Sequence, residues 1–452
     1  MNDWLTVILA GGKGQRMESS VSKVLHKICG KEIIRHVSDN VTYLHAGCVV
    51  VVVSPDNLSQ IKKLLNKEYI YVVQDLPLGT AHALLQSKEE IPKDTKNIVV
   101  VFGDNAIDDE DLINSVMQAH ISNNSKVTVL TKILEYPYGY GRIIRNDVGS
   151  IIAVTEQKRL SSEEHSIKEV NGGVYCFNTD WLINNIHKIA KSEITEEYYL
   201  TDLISLAHEQ GHFVANHMDK SSIDIMGINN KQELAKAEKI IQLRILNKHM
   251  INGVTIKDPS TTYIDSDVIL GKDSVVLPNT HINGGCVVGE RTTLGPNSVM
   301  REVEIGNDCN IVNSFIEESI LNNKVSIGPF SHIRPGCILN DNVYIGNYVE
   351  TKNSHIGENT KIGHFGYIGD SQVGKNVNIG AGTITCNYDG EQKHLTIIND
   401  GAFIGSDTML VAPINIGKNV VTGAGSVITS DVPDNSKAIG APARIFNNRS
   451  ET

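Results

Sequence analysis

Short apolar runs alternate with amphipathic stretches along the first half of the chain. Residues 7–10, 49–53, 71–73, 98–102 and 126–131 form runs of strand length rich in β-branched residues, a composition that suits a pleated, half-buried surface. Between them, residues 79–87 and 111–120 read as helices. Alternation of this kind predicts an α/β unit, a mostly parallel sheet covered by helices. Residues 230–250 hold strong helix formers and no Gly or Pro. They predict one helix between a first domain, 1–229, and a second, 251–452.

After Gly253 the pattern changes to a six-residue repeat: an aliphatic residue, usually Gly, two polar residues, then small or β-branched ones. It stands at Leu270, Val288, Leu294, Ile305, Ile345, Ile356, Val373 and Ile416, each followed by Gly. In-phase repeats that cannot bury an apolar face alone predict a solenoid, here an all-β parallel β-helix. The aliphatic positions point to its axis, and the glycines are expected to relax the backbone at the corners. Residues 383–404 break the period, predicting a polar loop thrown out on one face.

Composition narrows the function classes. Aromatics are only 5% of the chain, as expected if half the protein packs its core from Ile, Val and Leu. The formal charge of -11 argues against nucleic-acid partners, which call for a basic face. Phosphates would have to be held by local Lys or Arg and backbone N–H groups. Seven Cys with no CxxC pair predict reduced thiols and a cytoplasmic protein, with neither disulfides nor a zinc site. No apolar stretch reaches about 18 residues and the first residues lack a basic n-region, so no membrane span or signal peptide is expected.

Candidate chemistry begins after the first strand, at Leu9, Ala10, Gly11, Gly12, Lys13, Gly14, Gln15 and Arg16. Glycines let a backbone approach a phosphate, and Lys and Arg supply charge. A plain tight turn explains the glycines equally well. A Walker A loop is excluded because Gly14 follows Lys13, and a dinucleotide fingerprint fails at Met17. Further motifs follow in order: Ser22-Lys23-Val24, Gln74, Leu78-Gly79-Thr80-Ala81-His82, Phe102-Gly103-Asp104, Gly139-Tyr140-Gly141-Arg142, Glu156, Asn171-Gly172-Gly173, Tyr198 to Asp202, and Gly227-Ile228-Asn229.

This ordered set resembles the nucleotide-sugar pyrophosphorylases, whose nucleotidyltransferase domain is Rossmann-like. With the repeats behind it, nearly the whole chain resembles the bifunctional N-acetylglucosamine-1-phosphate uridyltransferase/glucosamine-1-phosphate acetyltransferase family. The resemblance implies that Leu9, Ala10, Gly11, Gly12, Thr80, Phe102 and Gly103 line the nucleotide-sugar site. Gln74 and Gly79 would read the uracil, Arg16 and Lys23 would face the triphosphate of UTP, and Gly141, Glu156 and Asn171 would hold the sugar. Asp104 and Asn229 would ligate Mg²⁺, a hard ion suited by oxygen donors. Three departures stand out: Asn105-Ala106-Ile107 replaces the usual X-Pro-Leu, Phe102 replaces Tyr, and Gly172 replaces Thr.

For the repeats the resemblance implies a left-handed β-helix, with His364 as the general base that frees the glucosamine amine. Imidazole exchanges protons near neutral pH, as that role demands. Glu350 would orient His364. Arg334, Lys352, Tyr367, Asn378 and Lys393 would bind glucosamine-1-phosphate, and Ala381, Asn387, Tyr388, Ser406 and Ala424 would bind acetyl-CoA. Cys386 offers an acyl-cysteine route as an alternative. Where the family carries an Arg for a CoA phosphate stands Ala441, with Arg444 three residues on. A homotrimer and a product destined for cell-wall precursors are implied by the same likeness. Two other readings stay open: a single nucleotidyltransferase on a scaffolding β-helix, and a non-catalytic regulator.

Overall fold

The computed structural model describes residues 3–43, 48–65, 68–105, 110–220 and 227–447. The chain divides into two compact units, Met1–Ile241 and Gln242–Thr452.

In the first unit, besides a small ribbon of Lys27–Ile28 and Lys31–Glu32, the strands are β1 (Trp4–Leu9), β2 (Cys48–Val53), β3 (Ile70–Val73), β4 (Asn97–Phe102), β5 (Val127–Ile133), β6 (Arg142–Arg145), β7 (Ile151–Thr155), β8 (Glu169–Asn178) and β9 (Val214–Asp219). The main sheet runs β9-β5-β8-β4-β1-β2-β3, and the β6–β7 hairpin joins it at β8. The pairs β1–β2, β1–β4, β2–β3 and β5–β9 are parallel. One antiparallel strand, β8, sits in the middle between β4 and β5. The sheet is thus mostly parallel, as the alternation predicted, with one antiparallel strand that the runs did not reveal. The Asn171-Gly172-Gly173 stretch of β8 interrupts its apolar run, and there the register with β5 shifts in a bulge.

Both faces of the sheet are covered. Leu5, Val7, Val50, Ile98, Val100, Tyr175 and Phe177 lie in one buried cluster. Ile8, Val49, Val51, Val99, Val101 and Cys176 lie in the other. Strands buried on both sides read as continuous apolar runs rather than alternating ones, which is why β1, β2 and β4 are visible in the sequence. The helices include α1 (Ile33–Tyr43), α2 (Leu58–Leu65), α3 (Thr80–Gln86), α4 (Glu110–Ser122), α5 (Thr179–Asn185) and α6 (Asp202–Glu209). A seventh, α7 (Lys231–Ile251), is the one predicted at 230–250, and the division between the units falls within it.

The second unit is a three-faced parallel β-helix. Its first face runs from Thr255–Ile256 to Ala443–Asn447, its second from Tyr263–Ile264 to Val427–Ile428, and its third from Ile269–Leu270 to Ile414–Ile416. One continuous core of Ile, Val, Leu and Cys fills the axis. The repeat glycines do a different job from the one expected. A Cβ on Gly346 would lie 1.8 Å from the Gly363 carbonyl oxygen. Most are small because coils stack closely; Gly295 also takes a positive φ of 95°, but elsewhere left-handed φ falls on residues such as Asn342, Asn359 and Asn376. Asn and Asp tolerate that conformation best after Gly, and Asn359 and Asn376 bond to each other across coils at 3.2 Å.

The interruption is shorter than the sequence suggested. Ile384–Cys386 and Thr396–Ile398 remain in the coil, with Thr385, Thr396 and Ile398 buried. Only the residues between them leave it, held by a bridge between Tyr388 and Lys393.

Candidate active sites

In the first unit the glycine loop follows β1. Its glycines differ by position. A Cβ on Gly11 would come 2.7 Å from Gln74 Oε1, and one on Gly14, where φ is 62°, would come 2.6 Å from Lys23 Cβ. Those two permit close packing. Gly12 meets nothing within 4 Å and faces open space. Arg16 follows, exposed, on a short turn, Gln15–Met17, that Met17 anchors in the core.

Lys23 donates to Asp104 Oδ2 and, at 3.1 Å, to Asn229 Oδ1. Asp104 Oδ1 is buried without a hydrogen-bond partner among the described residues. A buried unpaired carboxylate oxygen costs stability unless something else satisfies it. The donor set therefore fits Mg²⁺: a carboxylate and an amide oxygen already converge on one cation, and one oxygen is spare.

Gln74, at the end of β3, is 5% exposed. Its Nε2 donates to Gly79 O at 3.2 Å and lies 3.0 Å from His82 Nδ1. Gly79 has φ 105°, and a Cβ there would strike the backbone of Tyr198 at 2.4 Å. Thr80 Oγ1 accepts from Leu200 N–H at 2.9 Å, so it ties the two segments together. Leu9 O accepts from Gly103 N–H and Ala10 N–H donates to Val52 O, which register the loop against β4 and β2.

The sugar candidates lie on β6, β7 and β8. Glu156 accepts from Thr201 at 3.1 Å; burial pushes its carboxyl up, against that hydroxyl. Asn171 donates to Tyr175 Oη at 2.5 Å, and burial drives that phenol well up. Gly141 O accepts from Asn171 N–H. Arg142 is 2% exposed; it donates to Tyr140 O and, at 3.1 Å, to Gln157 Oε1, so it staples the turn before Gly141 to the segment after Glu156. His82, Arg142, Tyr175 and Thr201 all support site residues, yet none has a spacing that sets it apart from helix or strand filler.

The departures touch one another. Asn105 Nδ2 donates to Gly172 O at 3.0 Å, and a Cβ on Gly172 would overlap Leu130 at 2.5 Å. Phe102 packs against Gly173. Ala106 and Ile107 lie outside the described residues.

In the second unit the repeat phase puts His364, Ala381, Ser406 and Ala424 at the same corner of four successive coils, between the first and second faces. They line a cavity of about 520 Å³ with Tyr344, Lys361, Asn378 and Phe403. His364 is exposed and has no hydrogen-bond partner among the described residues. The expected Glu350–His364 contact is absent. Glu350 instead accepts from Arg334 Nη1 at 2.7 Å, which raises the guanidinium's pKa. Arg334 lies two register positions along the same face and reaches that carboxylate, whereas His364 stands at the corner between the first and second faces.

The second face stacks His332, Glu350 and Tyr367 in register. Beside them the Lys352 and Lys393 ammonium groups meet, and Lys393 lowers the pKa of Lys352. Arg334, Lys352 and Lys393 make a cationic patch suited to a phosphate. Asn387 donates to Asp370 at 2.5 Å, and Tyr388, 60% exposed, sits on the loop. Burial raises the Cys386 thiol, which disfavours the acyl-cysteine route because the thiolate is the nucleophile. Arg444 stands opposite Ile439, whose side chain covers Gly423 beside Ala424.

Residues 5–230 match the nucleotidyl transferase family model. Residues 267–302 and 318–353 match the bacterial transferase hexapeptide model. The bifunctional protein GlmU of Geobacillus sp. (strain WCH70) is 42% identical over 441 residues, covering 98% of this chain and 96% of that protein. The bifunctional protein GlmU of Thermosipho africanus is 44% identical over 440 residues, 97% of this chain and 95% of that protein. That of Halalkalibacterium halodurans is 40% identical over 447 residues, with 99% and 98% covered.

Proposed function

The chain belongs to the bifunctional GlmU family, and we propose that its two sites make UDP-N-acetylglucosamine in succession. In the second unit, His364 takes a proton from the amine of glucosamine-1-phosphate. The amine attacks the acetyl-CoA thioester, the C–S bond breaks, and the CoA thiolate leaves and is protonated. Arg334, Lys352 and Lys393 hold the sugar phosphate, and the corner of Ala381, Ser406 and Ala424 receives the acyl donor. The cavity lined by His364 carries this reading over a scaffolding β-helix, because a scaffold has no need of a histidine free of partners at its mouth.

In the first unit, an oxygen of N-acetylglucosamine-1-phosphate attacks the α-phosphorus of UTP and pyrophosphate leaves. Little covalent work falls to the protein; position and charge do most of it. Lys23 and Arg16 offset charge on the phosphates, the open face of Gly12 lets the backbone approach, and Glu156 and Asn171 orient the sugar. Asp104 and Asn229 would hold Mg²⁺, which supplies charge neutralisation on the triphosphate when bound.

The cationic patch lies on the second face, while His364 and Asn378 line a cavity on the first. Within one chain they are not one pocket, so we propose that a neighbouring copy in a homotrimer completes the acceptor site. No helix among the described residues is long and apolar enough to cross a membrane, and family likeness favours a cytoplasmic enzyme. The test is one reaction followed by mass spectrometry, with glucosamine-1-phosphate, acetyl-CoA, UTP and Mg²⁺. UDP-N-acetylglucosamine is expected, with Asp104→Ala stopping at N-acetylglucosamine-1-phosphate and His364→Ala giving no acetylated product. Acetylation surviving in His364→Ala would overturn the general-base role.

A further inference from the structure

We infer that His82 fixes which edge of the Gln74 amide faces the nucleotide, and so sets the preference for uracil over cytosine. This rests on the reading of Gln74 as the base-contacting residue. The hydrogen bonds around His82 conflict. His82 lies between two amides: Gln74 Nε2 is 3.0 Å from Nδ1, and Gln86 Nε2 is 3.2 Å from Nε2. A neutral imidazole has one donor and one acceptor nitrogen, so it cannot accept from both. Each amide is also anchored by a carbonyl, Gln74 by Gly79 O at 3.2 Å and Gln86 by His82 O at 3.1 Å. One anchor has to give way.

Burial decides which. Turning Gln74 would set its oxygen against Gly79 O at a position only 5% exposed, leaving two acceptors facing each other away from water. Gln86 is only partly buried, on the helix α3. Its amide can turn, present its oxygen to the ring, and leave its NH₂ to solvent. The ring therefore carries its proton on Nε2 and accepts from Gln74 at Nδ1. Gln74 Oε1 is then held on the other side, where it lies 2.7 Å from the point a Gly11 Cβ would occupy.

That oxygen is an acceptor aimed at the glycine loop. Uracil presents an imide N–H on its ring edge and can donate to it. Cytosine presents a lone pair at the same nitrogen and is repelled. A site built around one hydrogen bond rejects the analogue that cannot make it far better than an apolar pocket does. His82 touches no substrate in this scheme; it is a positioning residue acting through Gln74.

The experiment compares pyrophosphate release from UTP and from CTP, with N-acetylglucosamine-1-phosphate and the full chain. His82→Leu and His82→Met, two apolar replacements in case one folds poorly, are expected to cut the UTP-over-CTP ratio of kcat/KM about tenfold or more. His82→Asn, whose amide oxygen can stand where Nδ1 stands, is expected to restore most of it. The KM for the sugar phosphate and acetyl transfer by the same chain should not change. If Gln74→Ala collapses the ratio while both apolar His82 variants keep it within about twofold, the positioning role is overturned. If Gln74→Ala itself leaves the ratio intact, the base reading fails and the inference goes with it.

Discussion

The two units hold their chemistry in opposite ways. In the α/β unit, Lys23, Asp104, Gln74, Glu156 and Asn171 sit in bonded networks, and several of their supports, such as Arg142 and Tyr175, are fully buried. In the β-helix, His364 stands exposed, placed by coil register with little side-chain support, and Tyr388 and Arg444 stand exposed on the loop and the last hairpin. The first arrangement gets its geometry from packing, so a change in a support should reach the chemistry. The second gets it from the backbone, so a side chain can change without disturbing its neighbours, whereas a change in the coil disturbs everything above it.

The largest effect expected from this contrast lies in two glycines. Gly346→Ala drives a Cβ to 1.8 Å from a backbone oxygen of the next coil, and neither coil can move without losing ladder bonds. A destabilisation of more than about 3 kcal/mol is expected, confined to the β-helix and visible as lost amide-exchange protection there. Gly12→Ala meets nothing within 4 Å. It should leave exchange unchanged and lower uridylyl transfer alone. Equal loss of protection in both variants would break the comparison.

The same contrast explains what could be read in advance. The β-helix is periodic, so its faces, its core and the common corner of His364, Ala381, Ser406 and Ala424 are present in the repeat phase. The strands β1, β2 and β4 show because burial on both faces makes them continuously apolar. β8 is hidden, since its bulge at Asn171-Gly172-Gly173 breaks the run and antiparallel pairing leaves no local signal. The partners of site residues are hidden for a related reason. Gln74 meets His82 through a strand-to-helix turn, and Glu350 meets Arg334 because the coils stack them on one face. Spacing carried no trace of either. The glycines misled in a third way: their positions were plain, but close stacking and φ freedom demand the same residue.

A second test bears on burial in the α/β unit. His120 is 2% exposed, Nδ1 bonds Thr128 at 2.8 Å, and Trp4 packs edge-on at 5.8 Å. Burial first, then the charge of Lys126, push its pKa down from 6.5 to about 4. The unfolded chain therefore binds a proton below about pH 6.5 that the folded unit refuses until about pH 4. Stability is full above that window and falls as pH drops through it, by about 2 kcal/mol between pH 7 and 5. Both tryptophans, Trp4 and Trp181, lie in this unit, so urea midpoints followed by their fluorescence report on it alone. His120→Leu should flatten the slope over that range; an unchanged slope would mean that other groups account for it.

The smallest effect concerns a charge with no packing behind it. Arg444 lies on the last hairpin strand, paired opposite Ile439, and is exposed. Ala441 supplies no charge, and Ile439 covers Gly423 next to the cavity-lining Ala424, so Arg444 would add a second cation beside Lys361, which lines the cavity itself. An exposed guanidinium meeting a phosphate gains modestly, because water screens the pair and the side chain must be ordered. Arg444→Ala should then raise the KM for acetyl-CoA about two- to fivefold with kcat held, the mark of binding lost equally from ground and transition states. The effect should shrink at high salt, where exposed charges are screened, and dephospho-CoA esters should be insensitive to the change if the 3′-phosphate is the partner. A KM that stays put in Arg444→Ala would remove this residue from the site and leave Lys361, which lines the cavity, as the cation beside the acyl donor.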